Sequence, residues 1–132
     1  LVNLLAYGEC NACGLLGQCQ AQIIVEADGS VYPCDFYVLD EYRIGNLNED
    51  SFETIHERRL KQGFVEASCN HTEECRACPY FMICRGGCRR HREQPGSKPG
   101  ENYFCQSYRM FFDACLPRLQ EIAAAIRPQG RV

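Results

Sequence analysis

Cysteine is the residue type whose number and spacing could support chemistry here, since eleven of the 132 residues are cysteine. An odd number cannot pair completely in disulfides within one chain, and thiolates also bind zinc and iron-sulfur clusters. Eight of the eleven form two spaced groups, enough for two sites of four thiolates. They are Cys13, Cys19, Cys34, Cys75, Cys78, Cys84, Cys88 and Cys105.

The spacing of the second group bears on which metal these thiols would bind. From Cys75 to Cys88 the cysteines are separated by two, five and three residues, which favours four thiols around an object larger than one ion. Zinc sites commonly use two C-x2-C pairs, and Cys10-x2-Cys13 and Cys75-x2-Cys78 offer that pattern. A zinc-stabilised binding module without redox chemistry therefore stays an alternative, and so does a disulfide framework.

Cations crowd into the same segment of a chain whose net charge is -3. They are Arg85, Arg89, Arg90, His91 and Arg92. A cluster held by four thiolates is negatively charged, and nearby cations would stabilise it; a solvated basic face is the alternative. The chain as a whole offers no electrostatic reason to bind nucleic acid or an anionic membrane, and its apolar runs are too short to cross a bilayer.

Several secondary-structure elements must position these residues. Gln22–Glu26 and Val31–Pro33 flank an Asp28-Gly29 turn and predict a two-stranded hairpin that ends at Cys34. Asp50 with Glu53 predicts the start of a capped amphipathic helix over 51–62, which contains Phe52, Ile55 and Leu60 and ends at Gly63. We expect this helix to pack on the hairpin.

The second half of the chain is richer in loops. Gly86-Gly87 allows the tight turns that wrapping a small inorganic object requires, and 94–100 is a loop by composition. Apolar residues then recur at helical spacing and predict an amphipathic helix, which Pro117 should kink or restart. They are Tyr108, Phe111, Phe112, Cys115, Leu119, Ile122 and Ile126. The expected fold class is small, loop-rich α+β, with a hairpin and helices organised around two clusters.

Three cysteines and three histidines lie outside the spaced pattern. Cys10 and Cys69 are predicted to be free thiols, and Cys115 a small core residue. His56 and His71 are predicted to lie on the surface, and His91 is a candidate cation beside a cluster.

The complete spacing resembles that of a known family. Cys19-x9-Gly29-x4-Cys34, followed by Cys75-x2-Cys78-x5-Cys84-x3-Cys88 and Cys105, is similar to the seven-cysteine pattern of the SPASM domain. That domain is the C-terminal extension of many radical SAM enzymes that modify peptides and proteins. Shorter stretches more narrowly resemble the anaerobic sulfatase-maturating enzymes. They are Val31–Asp40, Gly45-Asn46, Cys84–Arg90 and Tyr103–Tyr108.

The resemblance implies two auxiliary clusters of the 4Fe-4S type. By similarity, auxiliary cluster I would be held by Cys13, Cys19, Cys34 and Cys88. Auxiliary cluster II would be held by Cys75, Cys78, Cys84 and Cys105. Four thiolates on each cluster leave no position open for substrate, so the implied roles are electron transfer and structure.

The resemblance also implies a catalytic role for Asp35, which directly follows Cys34. In that family an Asp at this place is the proposed general base. It takes the proton from a target Cys or Ser side chain while a SAM-derived radical removes a β-hydrogen, and the product is Cα-formylglycine. A negatively charged neighbour makes a carboxylate hold a proton more tightly, which suits a proton acceptor. A turn-forming Asp at the end of the hairpin is the alternative.

One motif of radical SAM chemistry is missing. C-x3-C-x2-C would need a cysteine at position 91 after Cys84 and Cys88, and that residue is His91. We therefore expect the chain alone to be inactive and to form the C-terminal part of a longer cytoplasmic oxidoreductase. The N-terminal barrel of that enzyme would bind SAM and a third 4Fe-4S cluster.

The expected organisation and partners follow from this interpretation. Residues 1–12 would be a connector, 13–107 the twin-cluster region, and 108–132 a C-terminal helix and tail. The expected partners are the radical SAM barrel, a sulfatase polypeptide and an electron donor or acceptor protein. Another peptide-modifying SPASM enzyme is the alternative with the same clusters.

Overall fold

A computed structural model describes residues 1–96 and 98–127 of the chain. The chain forms two compact units, which we call the split unit, Leu1–Gly17 with the chain from His71 onward, and the central unit, Gln18–Asn70. No helix in the described part of the chain is long and apolar enough to cross a membrane.

The elements are short apart from two helices. In the described ranges the α-helices are α1 (Val2–Tyr7), α2 (Phe52–Gln62), α3 (Phe64–Ala67), α4 (Glu73–Arg76), α5 (Phe81–Cys84), α6 (Arg89–Arg92) and α7 (Cys105–Ile126). The strands are β1 (Ile24–Val25), β2 (Ser30–Tyr32) and β3 (Gly45–Asn46). Turns of 3-10 helix cover Cys13–Leu15, Asp35–Tyr37 and Asp40–Tyr42. The small, loop-rich α+β fold expected from the sequence is confirmed.

The central unit contains a three-stranded antiparallel sheet in the order β1-β2-β3. The predicted hairpin is confirmed: Val25 pairs with Val31, and Gly29 in the turn has φ +84°. The sequence did not predict β3, in which Gly45 pairs with Val31. A Cβ on Gly45 would lie 2.8 Å from Cγ1 of Ile55, so the close approach of α2 requires glycine there.

Helix α2 packs on this sheet, as predicted. Ile55 forms a buried cluster with Val31 and Ile44, and each of the three is at most 2% exposed. Phe52 and Leu60 were expected on the same apolar face but are 70% and 58% exposed. A single buried residue of α2 therefore carries its contact with this cluster.

The start of α2 differs from the prediction. Ser51, rather than Asp50, is the N-cap, and its Oγ accepts a hydrogen bond from the N–H of Thr54 at 3.3 Å. The carboxylate of Asp50 instead accepts hydrogen bonds from the N–H of Asn46 at 3.0 Å and from Arg58 Nη1 at 2.8 Å. Asp50 thereby connects the sheet with the helix, because its Oδ2 accepts hydrogen bonds from both elements.

Helix α7 begins at Cys105, three residues before the predicted Tyr108, and runs on through Pro117 to Ile126. Of the two outcomes predicted for Pro117, a kink or a restart, the restart does not occur, because the helix is continuous through that residue. The end of α7 packs against α1. Tyr7 Oη donates to the carbonyl of Ile126 at 2.8 Å, and Arg127 Nε donates to the carbonyl of Ala6 at 2.9 Å.

The predicted apolar stripe of α7 is only partly buried. Phe112 is 2% exposed, whereas Phe111, Ile122 and Ile126 are 43%, 38% and 42% exposed. Cys115, predicted to lie in the core, is only partly buried. Ala123, outside the predicted stripe, is 2% exposed, so small residues allow α1 to approach this end of the helix.

Candidate metal centre

Four of the eight predicted ligands line one cavity of about 240 Å³ in the split unit. They are Cys75, Cys78, Cys84 and Cys105. All four are partly buried. Burial, and to a lesser extent negative charge on the other three cysteines, raises the pKa of the Cys84 thiol to about 11. The four sulfur groups therefore lie within electrostatic range of one another around a shared space, which we call the four-thiol cavity.

Short helices and turns position these four thiols. Cys75 lies in α4, where Thr72 caps the helix: the N–H of Cys75 donates to Thr72 Oγ1 at 3.1 Å. Cys84 is the last residue of α5, and Cys105 is the first residue of α7. The N–H of Cys105 donates to the carbonyl of Asn102 at 2.8 Å. Cys78 lies in the turn between α4 and α5, where its N–H donates to the carbonyl of Cys75 at 3.1 Å.

The turn after Cys84 requires its glycines. Gly86 and Gly87 have φ of +77° and +69°, as the predicted tight turn needs. A Cβ on Gly86 would lie 2.7 Å from His71 Nδ1 and 3.4 Å from Cys75 Sγ. A side chain at Gly86 would therefore fill part of the cradle that the thiols surround.

The donor set fits an iron-sulfur cluster. Four thiols spaced around a cavity can each bind one metal atom of a polynuclear group. Because burial raises the pKa of the Cys75, Cys84 and Cys105 thiols, binding must displace their protons, as thiolate ligation of any metal does. Within the described residues, no three His, Cys, Asp or Glu side chains are grouped so that they could hold a single metal ion; the four thiols are instead spread around a cavity.

Cys13 and Cys88 lie on neighbouring segments of the split unit. A Cβ on Gly14 would lie 3.6 Å from the Cβ of Cys88, and one on Gly17 would lie 3.0 Å from the Cβ of Arg85. The 3-10 turn that contains Cys13 therefore runs along the Arg85–Cys88 turn. The two predicted ligands of auxiliary cluster I in this unit lie on adjoining stretches of backbone.

His71 connects these segments through two hydrogen bonds and is not the surface residue that the sequence predicts. Its Nε2 donates to the carbonyl of Gly17 at 2.9 Å, and its Nδ1 accepts from Arg92 Nη1 at 3.2 Å. Burial lowers the pKa of His71, and the Arg92 charge adds to this effect. A neutral imidazole satisfies both contacts, because one ring nitrogen must donate and the other must accept.

The basic segment is more than a solvated face. Arg92 is 6% exposed, and Arg89 Nε pairs with Glu93 Oε1 at 2.7 Å. His91 packs edge-on against Phe104, with ring centroids 4.9 Å apart. The segment therefore contains a buried guanidinium and a packed imidazole, which a uniformly solvated basic face would not.

In the central unit, Cys19 and Cys34 lie within electrostatic range of each other. Burial, and to a lesser extent the neighbouring Asp35 and Cys19, raises the pKa of the Cys34 thiol to about 11. The N–H of Cys19 donates to Ser68 Oγ at 2.7 Å. These two thiols are the remaining predicted ligands of auxiliary cluster I.

Asp35, the predicted general base, is exposed and begins a 3-10 turn. Its Oδ1 accepts a hydrogen bond from the Cys34 thiol at 3.3 Å and another from the N–H of Phe36 at 3.1 Å. The carboxylate is therefore held at its own turn and still open to solvent.

No disulfide joins any of the eleven cysteines, all of which lie in the described ranges. Cys10, with its Sγ 3.4 Å from the carbonyl of Ala12, is partly buried, and Cys69 is exposed.

Sequence reasoning missed three further residues at the four-thiol cavity, namely Tyr80, Asn102 and Arg109. Tyr80 Oη donates to the carboxylate of Asp113, and Asn102 is buried. The one sequence signal for Asn102 is its position three residues before the predicted ligand Cys105.

Comparison with known proteins places this geometry in a family. The family described as SPASM, an iron-sulfur cluster-binding domain, matches residues 10–79. That range includes Cys13, Cys19, Cys34, Cys75 and Cys78 and ends before the other three predicted ligands.

Whole-chain relatives extend the match. The cysteine-type anaerobic sulfatase-maturating enzyme of Clostridium perfringens (strain 13 / Type A) is 42% identical over 96% of this chain and 35% of its own length. The serine-type enzyme of Klebsiella pneumoniae is 28% identical over 91% of this chain and 27% of its own. A solved structure described as native anSMEcpe with bound AdoMet and Cp18Cys peptide superposes with a TM-score of 0.84 at 42% identity, over 96% of this chain and 35% of that one. The chain spans about a third of the length of these relatives.

Proposed function

The chain belongs to the SPASM family of iron-sulfur cluster-binding domains, and from that premise we propose that it is the auxiliary-cluster region of an anaerobic sulfatase-maturating enzyme. The observation that carries the proposal is the four-thiol cavity formed by Cys75, Cys78, Cys84 and Cys105. A cavity bounded by four thiols suits a polynuclear cluster, and the 42% identity to a relative named for this activity supports the choice of enzyme.

We assign two 4Fe-4S clusters to the eight cysteines. Auxiliary cluster II would occupy the four-thiol cavity. Auxiliary cluster I would be held by Cys13, Cys19, Cys34 and Cys88, the set that the family resemblance implies. Two observations support this set. Gly14, the neighbour of Cys13, lies close to Cys88, and the charge of Cys19 contributes to the raised pKa of Cys34. Clusters bound in this way supply one-electron transfer.

Asp35 is assigned as the general base of the parent enzyme. Its carboxylate is exposed, and the Cys34 thiol donates to it. A cysteine that ligates a metal is deprotonated and has no proton to donate. Ligation at Cys34 would therefore remove one of the two hydrogen bonds that Oδ1 of Asp35 accepts, leaving only the one from the N–H of Phe36 and room for a proton from another group.

The substrate is proposed to be a cysteine of a sulfatase, oxidised to Cα-formylglycine. The similarity to cysteine-type enzymes is higher than to serine-type ones, at 42% against 28% identity, and this difference favours cysteine over serine. The parent enzyme would also need a radical SAM barrel with SAM and a third cluster, and an electron donor or acceptor protein. Thiolate ligands must be kept reduced, which suits the cytoplasm.

Anaerobic reconstitution followed by elemental analysis tests the proposed cofactors. Two four-iron clusters predict about eight iron and about eight sulfide per chain. The sample must be kept free of oxygen, because zinc could occupy thiolates that a damaged cluster has vacated. Stoichiometric zinc without sulfide in such a sample would contradict the proposal and favour a zinc-stabilised binding module.

A further inference from the structure

Asn102 is a polar residue on the wall of the four-thiol cavity, and it is buried, with only 6% of its surface exposed to solvent. Its Nδ2 donates to the carbonyl of Gly86 at 3.0 Å. Its Oδ1 accepts from the N–H of Phe104 at 2.8 Å. Both ends of the amide are therefore engaged with backbone, so the side chain has a single well-defined orientation.

These bonds connect two of the ligands. Gly86 lies two residues after Cys84, in a turn whose three residues from Arg85 onward all have positive φ. On the other side, the backbone carbonyl of Asn102 accepts the N–H of Cys105 at 2.8 Å. One residue thus holds the turn that follows Cys84 and the helix end that carries Cys105.

The approach between the two segments is tight. A Cβ on Gly87 would run into Nδ2 of Asn102 and would lie 3.3 Å from the ring of Tyr108. The amide therefore lies directly against the glycine turn. A shorter side chain at position 102 would lose the bond to Gly86 and leave a space between the segments.

We propose that Asn102 is a positioning residue, a clasp that fixes Cys105 relative to Cys84 so that both thiols reach the same cluster. The proposal rests on the proposed function, because it presumes that the four-thiol cavity holds a cluster. Asn102 acts through the two cysteines and their backbone. A four-point metal group tolerates little error in ligand position, so a looser Cys105 should distort the cluster and speed its loss.

Asn46 provides a matched control in the central unit. It is also 6% exposed, its Nδ2 donates to the carbonyl of Asp28 at 3.0 Å, and its Oδ1 accepts from the N–H of Asn48 at 2.8 Å. The two asparagines therefore share burial, donor and acceptor. They differ in what they hold, because Asn46 belongs to β3 and Asn102 lies between two ligands.

The experiment compares Asn102→Ser with Asn46→Ser in the full-length protein carrying its clusters. The hydroxyl of a serine at position 102 can still accept a hydrogen bond from the N–H of Phe104. Its side chain is too short to donate to the carbonyl of Gly86. Two properties are measured: the rate at which an added chelator removes iron, and the electron paramagnetic resonance spectrum of the reduced clusters. A role confined to overall stability would not alter the spectrum.

We expect Asn102→Ser to release the iron of one cluster, about a third of the total in the three-cluster protein, roughly tenfold faster, the effect of losing one buried hydrogen bond, and to broaden the signal of that cluster. Asn46→Ser should leave both properties as in the wild type. Equal behaviour of the two variants, or a wild-type spectrum for Asn102→Ser, would overturn the proposal. Wild-type protein without iron and sulfide would instead refute the proposed function and the clasp with it.

If Asn102→Ser does not fold, Asn102→Asp decides the question. Aspartate has nearly the same shape and keeps an oxygen for the N–H of Phe104, but it cannot donate to Gly86. The same faster release and altered spectrum are expected, and unchanged values would refute the clasp.

Discussion

The thiol of Cys34 and the carboxylate of its neighbour Asp35 are joined by a hydrogen bond of 3.3 Å from Sγ to Oδ1. The first is a proposed cluster ligand and the second a proposed general base. This pairing places the two proposed roles on consecutive residues of one 3-10 turn, so a variant can remove the base without removing the ligand.

Asp35→Asn should therefore abolish most formylglycine formation in the parent enzyme while leaving its iron content unchanged. Loss of a general base typically slows a reaction by about 100-fold to 10,000-fold. Turnover of a cysteine-containing sulfatase peptide, followed by mass spectrometry, measures the change. Asp40→Asn is the matched control, because Asp40 is also exposed and begins the next 3-10 turn. Intact activity in Asp35→Asn would remove the general-base assignment.

Cys84→Ala should remove one cluster. Cys84 lines the four-thiol cavity, so its loss leaves three ligands, and bound iron should fall from about eight to about four per chain. Cys115→Ala, which changes a partly buried cysteine of α7 outside that cavity, should keep the full amount. Iron and sulfide analysis after anaerobic reconstitution makes the comparison. A full complement in Cys84→Ala would show that the ligand set is wrong.

Removing the clusters should loosen the segment from Cys69 to Cys105. Helices α4, α5 and α6 have four residues each, too few to be stable without tertiary support. Hydrogen exchange should therefore lose protection there in the metal-free protein. The end of α7 is an internal control, because α1 packs on it and Tyr7 bonds to Ile126. Equal protection of Cys69–Cys105 with and without metal would contradict this.

Ile55→Ala should destabilise the protein by about 2–5 kcal/mol, the usual cost of deleting a buried aliphatic side chain. Ile55 is 1% exposed against Val31 and Ile44. Leu60→Ala, on the same helix but 58% exposed, should change the free energy of unfolding by far less. Denaturant titration of both variants tests this, and equal losses would mean that α2 does not pack as described.

The stability of the central unit should decrease in acid partly through Asp50. Hydrogen bonds from Arg58 and from the Asn46 backbone lower the pKa of this carboxyl below its ordinary value of 3.8. Its contribution is therefore complete above that value and is lost as the pH falls through the lower, folded-state pKa. Asp50→Asn should flatten this part of the pH dependence of unfolding.

Glu49→Gln changes the adjacent exposed acid and serves as the control for Asp50→Asn. Free energies of unfolding from about pH 7 downward should keep the wild-type slope in Glu49→Gln. An unchanged slope in Asp50→Asn would mean that Arg58 and Asn46 do not hold the carboxylate in solution.

Local signals explain which parts of the fold could be predicted. The Asp28-Gly29 turn between β-branched residues predicts the hairpin, and Gly63 predicts the end of α2, because both depend on near neighbours in the chain. The Cys75–Cys88 spacing likewise indicates that thiols gather in this segment, although Cys105, and not Cys88, lines the cavity with the other three. Strand β3 could not be predicted, since Gly45-Asn46 has no strand propensity and pairs only because Val31 and Ile55 surround it.

The amino-acid sequence by itself determined that cysteines at these intervals could bind clusters, because ligand type and spacing are local properties. Only the tertiary structure decided that Cys105 joins Cys75, Cys78 and Cys84 around one cavity. It also decided that Asn102 bonds to a carbonyl sixteen residues away and that His71 forms a hydrogen bond with the carbonyl of Gly17. Such contacts join segments distant in the chain and depend on how loops pack around a shared space, which no local pattern of residues encodes.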